Sequence, residues 1–486
     1  MWLSLQPFLL SAVGLPATVY VIRSLGPEGY GEWSAATALV GAFAVITSFG
    51  FRPLFAKAVA QRPGLAPIET SYQLGLRTSL GLVAFGAAAV ACVALGYPLV
   101  VLACTLIAGA GAILSGAAGV LEDLLQGFQQ LKQVALVAFV AGLTLTIFSA
   151  LAAFLGGGAA AIALAYAAGP VISLALLLWF VKKRHFPVSL GMDVRRFLAL
   201  IRDARILGAG FLVASVRDRA ESLLVPKLMG VMTFGYFAAG LLLADRLAVI
   251  PSNLTTAFFP LIAHRHRVSS EAAEVEIRRL ILLGQVVALP VCLFATFHAS
   301  WIAAILFRSP NALAGIVISI TIWSLPLQAL ALAFSGTLQA TGAHDAAGRA
   351  NLLTSLVSLP GSVLLVASFG VVGASISVVA RPFVACGFSF APLIQGFRTL
   401  FRGFPAIRLL VAAAGMVLIE LLARQLIPAE FLRALAGGGL GTFTFVALLL
   451  MFRVIRMSDL RRLRADGGEN LHDGDAAARV ADGIAQ

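Results

Sequence analysis

Charge is what this chain has least of. Only 12% of its 486 residues are Asp, Glu, Lys or Arg, about half the share in a soluble domain, and a chain so sparsely charged does not make a solvated globular surface. Cysteine is scarce too. Cys92, Cys104, Cys292 and Cys386 all fall in apolar runs without the close spacing of a zinc or redox site, so they read as small buried hydrophobes. The histidines are few and scattered, and His264 and His266 stand in a basic AHRHR segment that reads as a solvated face. No metal and no cofactor are expected. Long polar loops, paired carboxylates in an exposed segment and a phosphate-binding glycine loop are also missing, which argues against an enzyme.

What the chain has instead is hydrophobic residues, 60% of the total, with a mean hydropathy of +0.96. Apolar runs of about twenty residues recur along it, each long enough at 1.5 Å per residue to cross a hydrocarbon core of about 30 Å. Unbroken runs of that length indicate helices rather than barrel strands. The expected architecture is all-α and polytopic, with about fourteen spans near 2–22, 34–55, 77–97, 99–121, 134–155, 159–181, 206–229, 235–261, 279–299, 312–338, 350–369, 373–394, 408–427 and 434–452. The first run lacks a basic leader and exceeds the usual length of a signal sequence, so it is expected to stay as the first helix.

An even count puts both termini on one side. With the termini in the cytoplasm, most basic residues fall in inner loops, among them Arg77, the KKRH cluster at 182–185 and Arg195 to Arg205; Arg23, Lys227, Arg308, Arg424 and Arg433 remain outside. That asymmetry follows the positive-inside rule. It accounts for the net charge of +13 through anionic inner-leaflet lipids rather than nucleic acid. Beyond residue 452 the periodicity is lost, and 453–486 reads as a disordered cytosolic tail.

The polar island RSLGPEGYGEW at 23–33 has a counterpart, KLMGVMTFGYFAA from Lys227: a basic residue, two spacers, Gly, a gap two residues longer, then Gly-Tyr. Arg52-Pro53 against Phe259-Pro260, Leu125–Gly127 against Leu338–Ala340, and Gly156–Gly158 against Gly370–Gly373 keep a similar offset. Four matches in register argue for duplication. The expected organisation is two parallel six-helix lobes, 1–181 and 206–396, joined by an amphipathic cytosolic linker at 182–205 and followed by two further helices within 397–452.

The stretch RSLGPEGYGEWSAATAL, the helix end SFGFRPLFAKAVA, and the weaker echoes LQGFQQLKQ and GYFAAG resemble oligosaccharide flippases of the Wzx type. Those proteins belong to the multidrug/oligosaccharidyl-lipid/polysaccharide exporter superfamily. The resemblance covers roughly residues 1–400 and is most specific at Leu25–Gly31. It implies translocation of undecaprenyl-pyrophosphate-linked oligosaccharide across a bacterial inner membrane, with a polysaccharide polymerase and glycosyltransferases as partners. A multidrug or lipid II exporter of the same fold is the alternative; a membrane-bound glycan polymerase or ligase is the alternative from another class. Gly26, Pro27, Gly29 and Gly31 are read as an architectural turn between the first two helices.

Charges inside the spans are the candidate site. Arg217, Asp218, Arg219 and Glu221 fall near the middle of helix seven, Asp245 and Arg246 in helix eight, Arg381 in helix twelve and Arg52 near the end of helix two. At roughly 2.5–3.5 kcal/mol per central charge they must face protein or water. One reading is mutual neutralisation: Arg217 with Glu221 at helical spacing, Arg219 with Asp245, and Arg52 snorkelling to the surface. The other notes five arginines against three acids, an excess suited to diphosphate oxygens, with Arg217 and Arg246 foremost and Arg219, Arg381 and Arg52 behind them. Asp218, Glu221 and Asp245 then serve as counter-ions or in ion coupling.

Overall fold

The structure is a computed structural model that describes residues 2–308, 311–397, 399–402 and 404–452, with side chains from residue 14 onward except 206 and 207. The tail at 453–486 lies outside the described residues. Helices account for nearly everything else: α1 (Trp2–Ser48), α2 (Phe51–Gln61), α3 (Ala66–Ala94), α4 (Leu99–Gly127), α5 (Leu131–Phe154), α6 (Ala159–Arg184), α7 (Val194–Met229), α8 (Val231–Val268), α9 (Ser270–Phe297), α10 (Ala299–Phe307), α11 (Ala312–Thr321), α12 (Ser324–Ala340), α13 (His344–Gly396), α14 (Ala406–Leu426) and α15 (Glu430–Met451).

Among the described residues, eleven stretches are long and apolar enough to cross a bilayer. Two of them, α1 and α13, are each two helices merged across a non-helical glycine, Gly26 (φ 67°) and Gly370 (φ 61°). Adding α7, which is long enough to span but carries Arg217, Asp218, Arg219 and Glu221, gives the fourteen helices expected from sequence. Boundaries moved where polar residues extend a helix beyond its apolar stretch. The eleven-residue island at 23–33 shrinks to a break at Gly26, because Pro27 restarts a helix with its φ already set and no N–H to satisfy. Similarly, α3 starts at Ala66 rather than near 77.

The linker differs from expectation. Residues 194–205 are the first turns of α7 rather than a separate in-plane helix, since the Asp193 carboxylate accepts from the backbone N–H of Arg195 and Arg196 (2.9 and 3.4 Å) and no proline follows until Pro226. Phe197, Leu200 and Ile201 pack around Phe51, Leu76 and Ala204, and Arg196 pairs with Glu69. Phe197, Leu200 and Ile201 are thus partly covered by protein, while Val194 and Leu198 stay exposed.

Left-handed backbone recurs along the chain. Gly26 and Gly230, Gly96 and Arg308, Gln129 and Gly342, and Gly156 and Gly370 all have φ between 59° and 83°, at separations of 204, 212, 213 and 214 residues. At the 204-residue separation Gly31 matches Gly235 with no gap, correcting the register read from the Gly-Tyr pairs. Contacts here are reciprocal. A Cβ on Gly31 would run into the Val231 carbonyl, and one on Gly235 into the Pro27 carbonyl; 27 and 231 are themselves 204 apart. Likewise Arg23 donates to the Ile305 carbonyl and Lys227 to the Leu95 carbonyl, each a cation at a helix C-terminus. Small residues, Ala35, Ala36 and Ala239 among them, continue this packing, as expected where no hydrophobic effect draws helices together in lipid.

Two compact units emerge. The first comprises Met1–Gln285 with Ala299–Thr399, the second Val286–His298 with the described residues from Leu400 onward. Within the second, Glu420 of α14 is buried against His298 (Nε2 to Oε2 3.1 Å) and packs on Gly437 and Gly441 of α15.

Candidate functional site

Two cavities open within the first unit. The larger, about 870 Å³, is lined by Arg217, Asp218 and Arg219 of α7, Asp245 of α8, Gln328 and Gln339 of α12, and Asn351 and Arg381 of α13. The second, about 740 Å³, is lined by Tyr30, Trp33 and Gly41 of α1, Arg52 of α2, Arg77 of α3, Glu122 and Asp123 of α4, Tyr166 of α6 and Arg246 of α8. The sequence candidates therefore divide: Arg217, Arg219 and Arg381 line one cavity, Arg52 and Arg246 the other.

Pairings differ from those inferred by helical spacing. Glu221, 2% exposed, does not pair with Arg217. Its carboxylate accepts from the Ser362 and Ser377 hydroxyls (3.0 and 2.7 Å) and from Arg381 Nη1 (3.4 Å). A buried carboxylate needs several donors, and α13 supplies all three. Arg217 instead forms an ion pair with Asp218 (2.9 Å) and donates to Asn351 Oδ1 (2.8 Å) and Ser355 Oγ (3.0 Å). Arg381 also donates to the Arg217 carbonyl (3.3 Å), so these two arginines are braced against each other's helix.

Arg52 stays 58% exposed and also pairs, its Nε lying 2.9 Å from Asp123 Oδ1. The other Asp123 oxygen accepts from Arg77 Nη2 at 2.8 Å, in a pair whose members are 4% and 1% exposed. From sequence alone Arg77 falls at an inner loop, and Asp123 is not among the candidates. Both lie deep because α3 begins at Ala66 and α4 continues to Gly127; the signal was the polar ED pair inside LEDLLQG, ahead of the helix end. Trp33 and Tyr166 meet at a ring-centroid distance of 4.8 Å.

Arg219 and Arg246 stand apart. Neither has a hydrogen-bond or ion-pair partner among the described residues, so the pairing of Arg219 with Asp245 is not made. The Arg219 guanidinium instead lies over Gly41. The five-to-three excess of arginine read from sequence becomes three arginines to two carboxylates lining each cavity, with Glu221 behind the larger one.

The glycine turn resolves into separate roles. Gly26 holds the left-handed break and Pro27 begins the next helix. Gly29 lies within that helix, where an added Cβ would meet only the Leu25 side chain at 3.4 Å. Gly31 is the close-contact residue. All four cysteines are free thiols.

Long apolar helices, backbone breaks that recur at a near-constant separation, and charged cavities inside the helix bundle define a polytopic all-α membrane protein. Similar solved structures include the lipid II flippase MurJ in an inward closed conformation (TM-score 0.68, 12% identity, 93% of this chain and 99% of that one). An inward-facing multidrug-resistance MATE transporter follows (TM-score 0.62, 16% identity, 81% and 96%), then a superfamily transporter from Pyrococcus furiosus (TM-score 0.53, 17% identity, 82% and 94%). Within that class the sequence is more specific. The polysaccharide biosynthesis protein family matches residues 2–266, more than half the chain, and the chain belongs to that family. The MatE family matches residues 220–364. A comparison with curated proteins finds no match.

Proposed function

We propose that this protein flips undecaprenyl-pyrophosphate-linked oligosaccharide from the inner to the outer leaflet of a bacterial inner membrane, for surface polysaccharide synthesis. The observation that carries the reading is the arginine excess lining the smaller cavity, where Arg52, Arg77 and Arg246 face Glu122 and Asp123. A guanidinium matches phosphate oxygens with a planar fork, and a net positive cavity favours a lipid diphosphate over an organic cation. The family membership supports the same substrate class.

In this reading 1–181 and 206–396 are the two moving lobes, joined through 182–205, and both termini are cytoplasmic. Asp218, Glu221 and Asp245 act as counter-ions or couple an ion to transport. Anionic inner-leaflet lipids contact the basic loops, and a polymerase and glycosyltransferases work alongside. Lipid II transport is the second reading, favoured by the near-complete overlap with MurJ.

Deletion of the gene in its own host separates them. The proposal expects loss of surface polysaccharide and accumulation of the undecaprenyl-pyrophosphate-linked repeat unit, with normal peptidoglycan. Accumulated lipid II with intact surface polysaccharide supports the second reading and sinks the first.

A further inference from the structure

We propose that Gly41 is a positioning residue for the substrate's diphosphate: by lacking a side chain it lets Arg219 reach the wall of the smaller cavity, where Arg219 and Arg246 serve one anion. The inference rests on the flippase reading and names the part of the site that holds the headgroup.

Four of the six cavity arginines are already committed. Arg52 and Arg77 share Asp123, Arg217 has Asp218, and Arg381 has Glu221. A guanidinium paired with a carboxylate must give up or share that bond to take a phosphate, whereas an unpaired one offers its full fork. Arg219 and Arg246 are the unpaired two. Arg246 lines the smaller cavity and Arg219 the larger, so the question is whether they can meet one ligand.

Gly41 supplies the connection. It lines the smaller cavity with Arg246, and the Arg219 guanidinium occupies the space its side chain would need: a Cβ there would come within 2.5 Å of Arg219 Cζ and Nη1 and 2.8 Å of Nη2. No side chain fits at this position unless Arg219 moves. Comparison between the halves sharpens it. At the 204-residue separation that matches Gly26 with Gly230 and Gly31 with Gly235, Gly41 corresponds to Asp245 and Ala42 to Arg246. An aspartate at 41 would give Arg219 a carboxylate; glycine leaves the guanidinium both unobstructed and unpaired.

The nearest atoms to that Cβ all belong to the far end of a flexible side chain. A methyl group at 41 therefore displaces Arg219 without requiring the helices to separate, which makes the idea testable in a folded protein. The test is binding of farnesyl diphosphate and farnesyl monophosphate to the full-length protein in nanodiscs, with thermal midpoints recorded for every variant. Gly41→Ala is expected to weaken diphosphate binding about tenfold, to cut the preference for diphosphate over monophosphate, and to leave the midpoint near wild type. In an Arg219→Ala background the same substitution should change affinity less than about twofold, because the two act through one contact. Equal losses from Gly41→Ala in both backgrounds, or wild-type affinity in Gly41→Ala, overturn the assignment of Gly41 while leaving the flippase reading intact. Failure of the wild-type protein to bind farnesyl diphosphate would sink both.

Discussion

At the scale of single residues, the charges in the spans fall into braced and free groups, and substitution should separate them. Arg381→Ala removes the guanidinium from a carboxylate that is 2% exposed; losing one partner of a buried pair costs about 3–5 kcal/mol. A marked fall in thermal midpoint is expected, with partial recovery in the Arg381→Ala, Glu221→Gln double variant. Arg217→Ala should show no such rescue by Glu221→Gln, since the two side chains do not meet. Rescue of Arg217→Ala instead would mean the pairing is the one that helical spacing suggested. For Arg219 and Arg246, transport at equal protein level should rank arginine above lysine above alanine, because lysine keeps the charge and loses the fork. Equal transport by all three would remove these residues from the site. Sequence showed which residues carry charge but not which partners they choose. Arg217 finds Asn351 134 positions away and Glu221 finds Ser377 156 positions away, distances at which no periodicity operates. Asp123 escaped notice because the pattern ended α4 near 121, six residues early.

At the scale of helices, the junction around Gly26 and Gly230 is held by contacts that come in matched pairs. Gly31 and Gly235 let backbone approach backbone, while Arg23 and Lys227 each reach a carbonyl at the end of a helix in the other half. Gly31→Val or Gly235→Val should force these helices apart. Gly29→Val should not, since its nearest neighbour is the Leu25 side chain. Spin labels at Glu28 and Met232, both exposed, would report this: a longer distance is expected for the first two variants and the wild-type distance for the third. An unchanged distance in Gly31→Val would show that the contact does not hold the junction closed. Replacing Arg23 or Lys227 by glutamine should lengthen the distance distribution less, as a cation at a helix C-terminus contributes about 0.3–1 kcal/mol. Four short matches pointed to a recurrence along the chain, but its register at the junction was not legible, because two Gly-Tyr pairs two residues out of step outweighed the glycines that pack.

For the whole molecule, hydropathy and helix-breaking residues were sufficient to count fourteen spans, since lipid leaves a chain without barrel strands no alternative to helices. The two cavities were not legible, because cavity walls are assembled from residues on four or more helices whose packing has no local signature. The orientation proposed from the charge asymmetry is testable. With cysteines at Ser189 and Glu28, an impermeant maleimide added to intact spheroplasts should label Glu28→Cys and not Ser189→Cys; the reverse would invert the topology. The central claim, that arginine-lined cavities carry a lipid diphosphate with its oligosaccharide, is tested most directly in proteoliposomes holding a fluorescent undecaprenyl-pyrophosphate-linked oligosaccharide, with an impermeant quencher reporting which leaflet it occupies. Wild-type protein is expected to equilibrate the label between leaflets, the Arg219→Ala, Arg246→Ala double variant to stay at the protein-free rate at equal reconstitution, and fluorescent lipid II to move more slowly than the oligosaccharide. Label that stays in its leaflet with wild-type protein, or lipid II that moves faster, would contradict the claim.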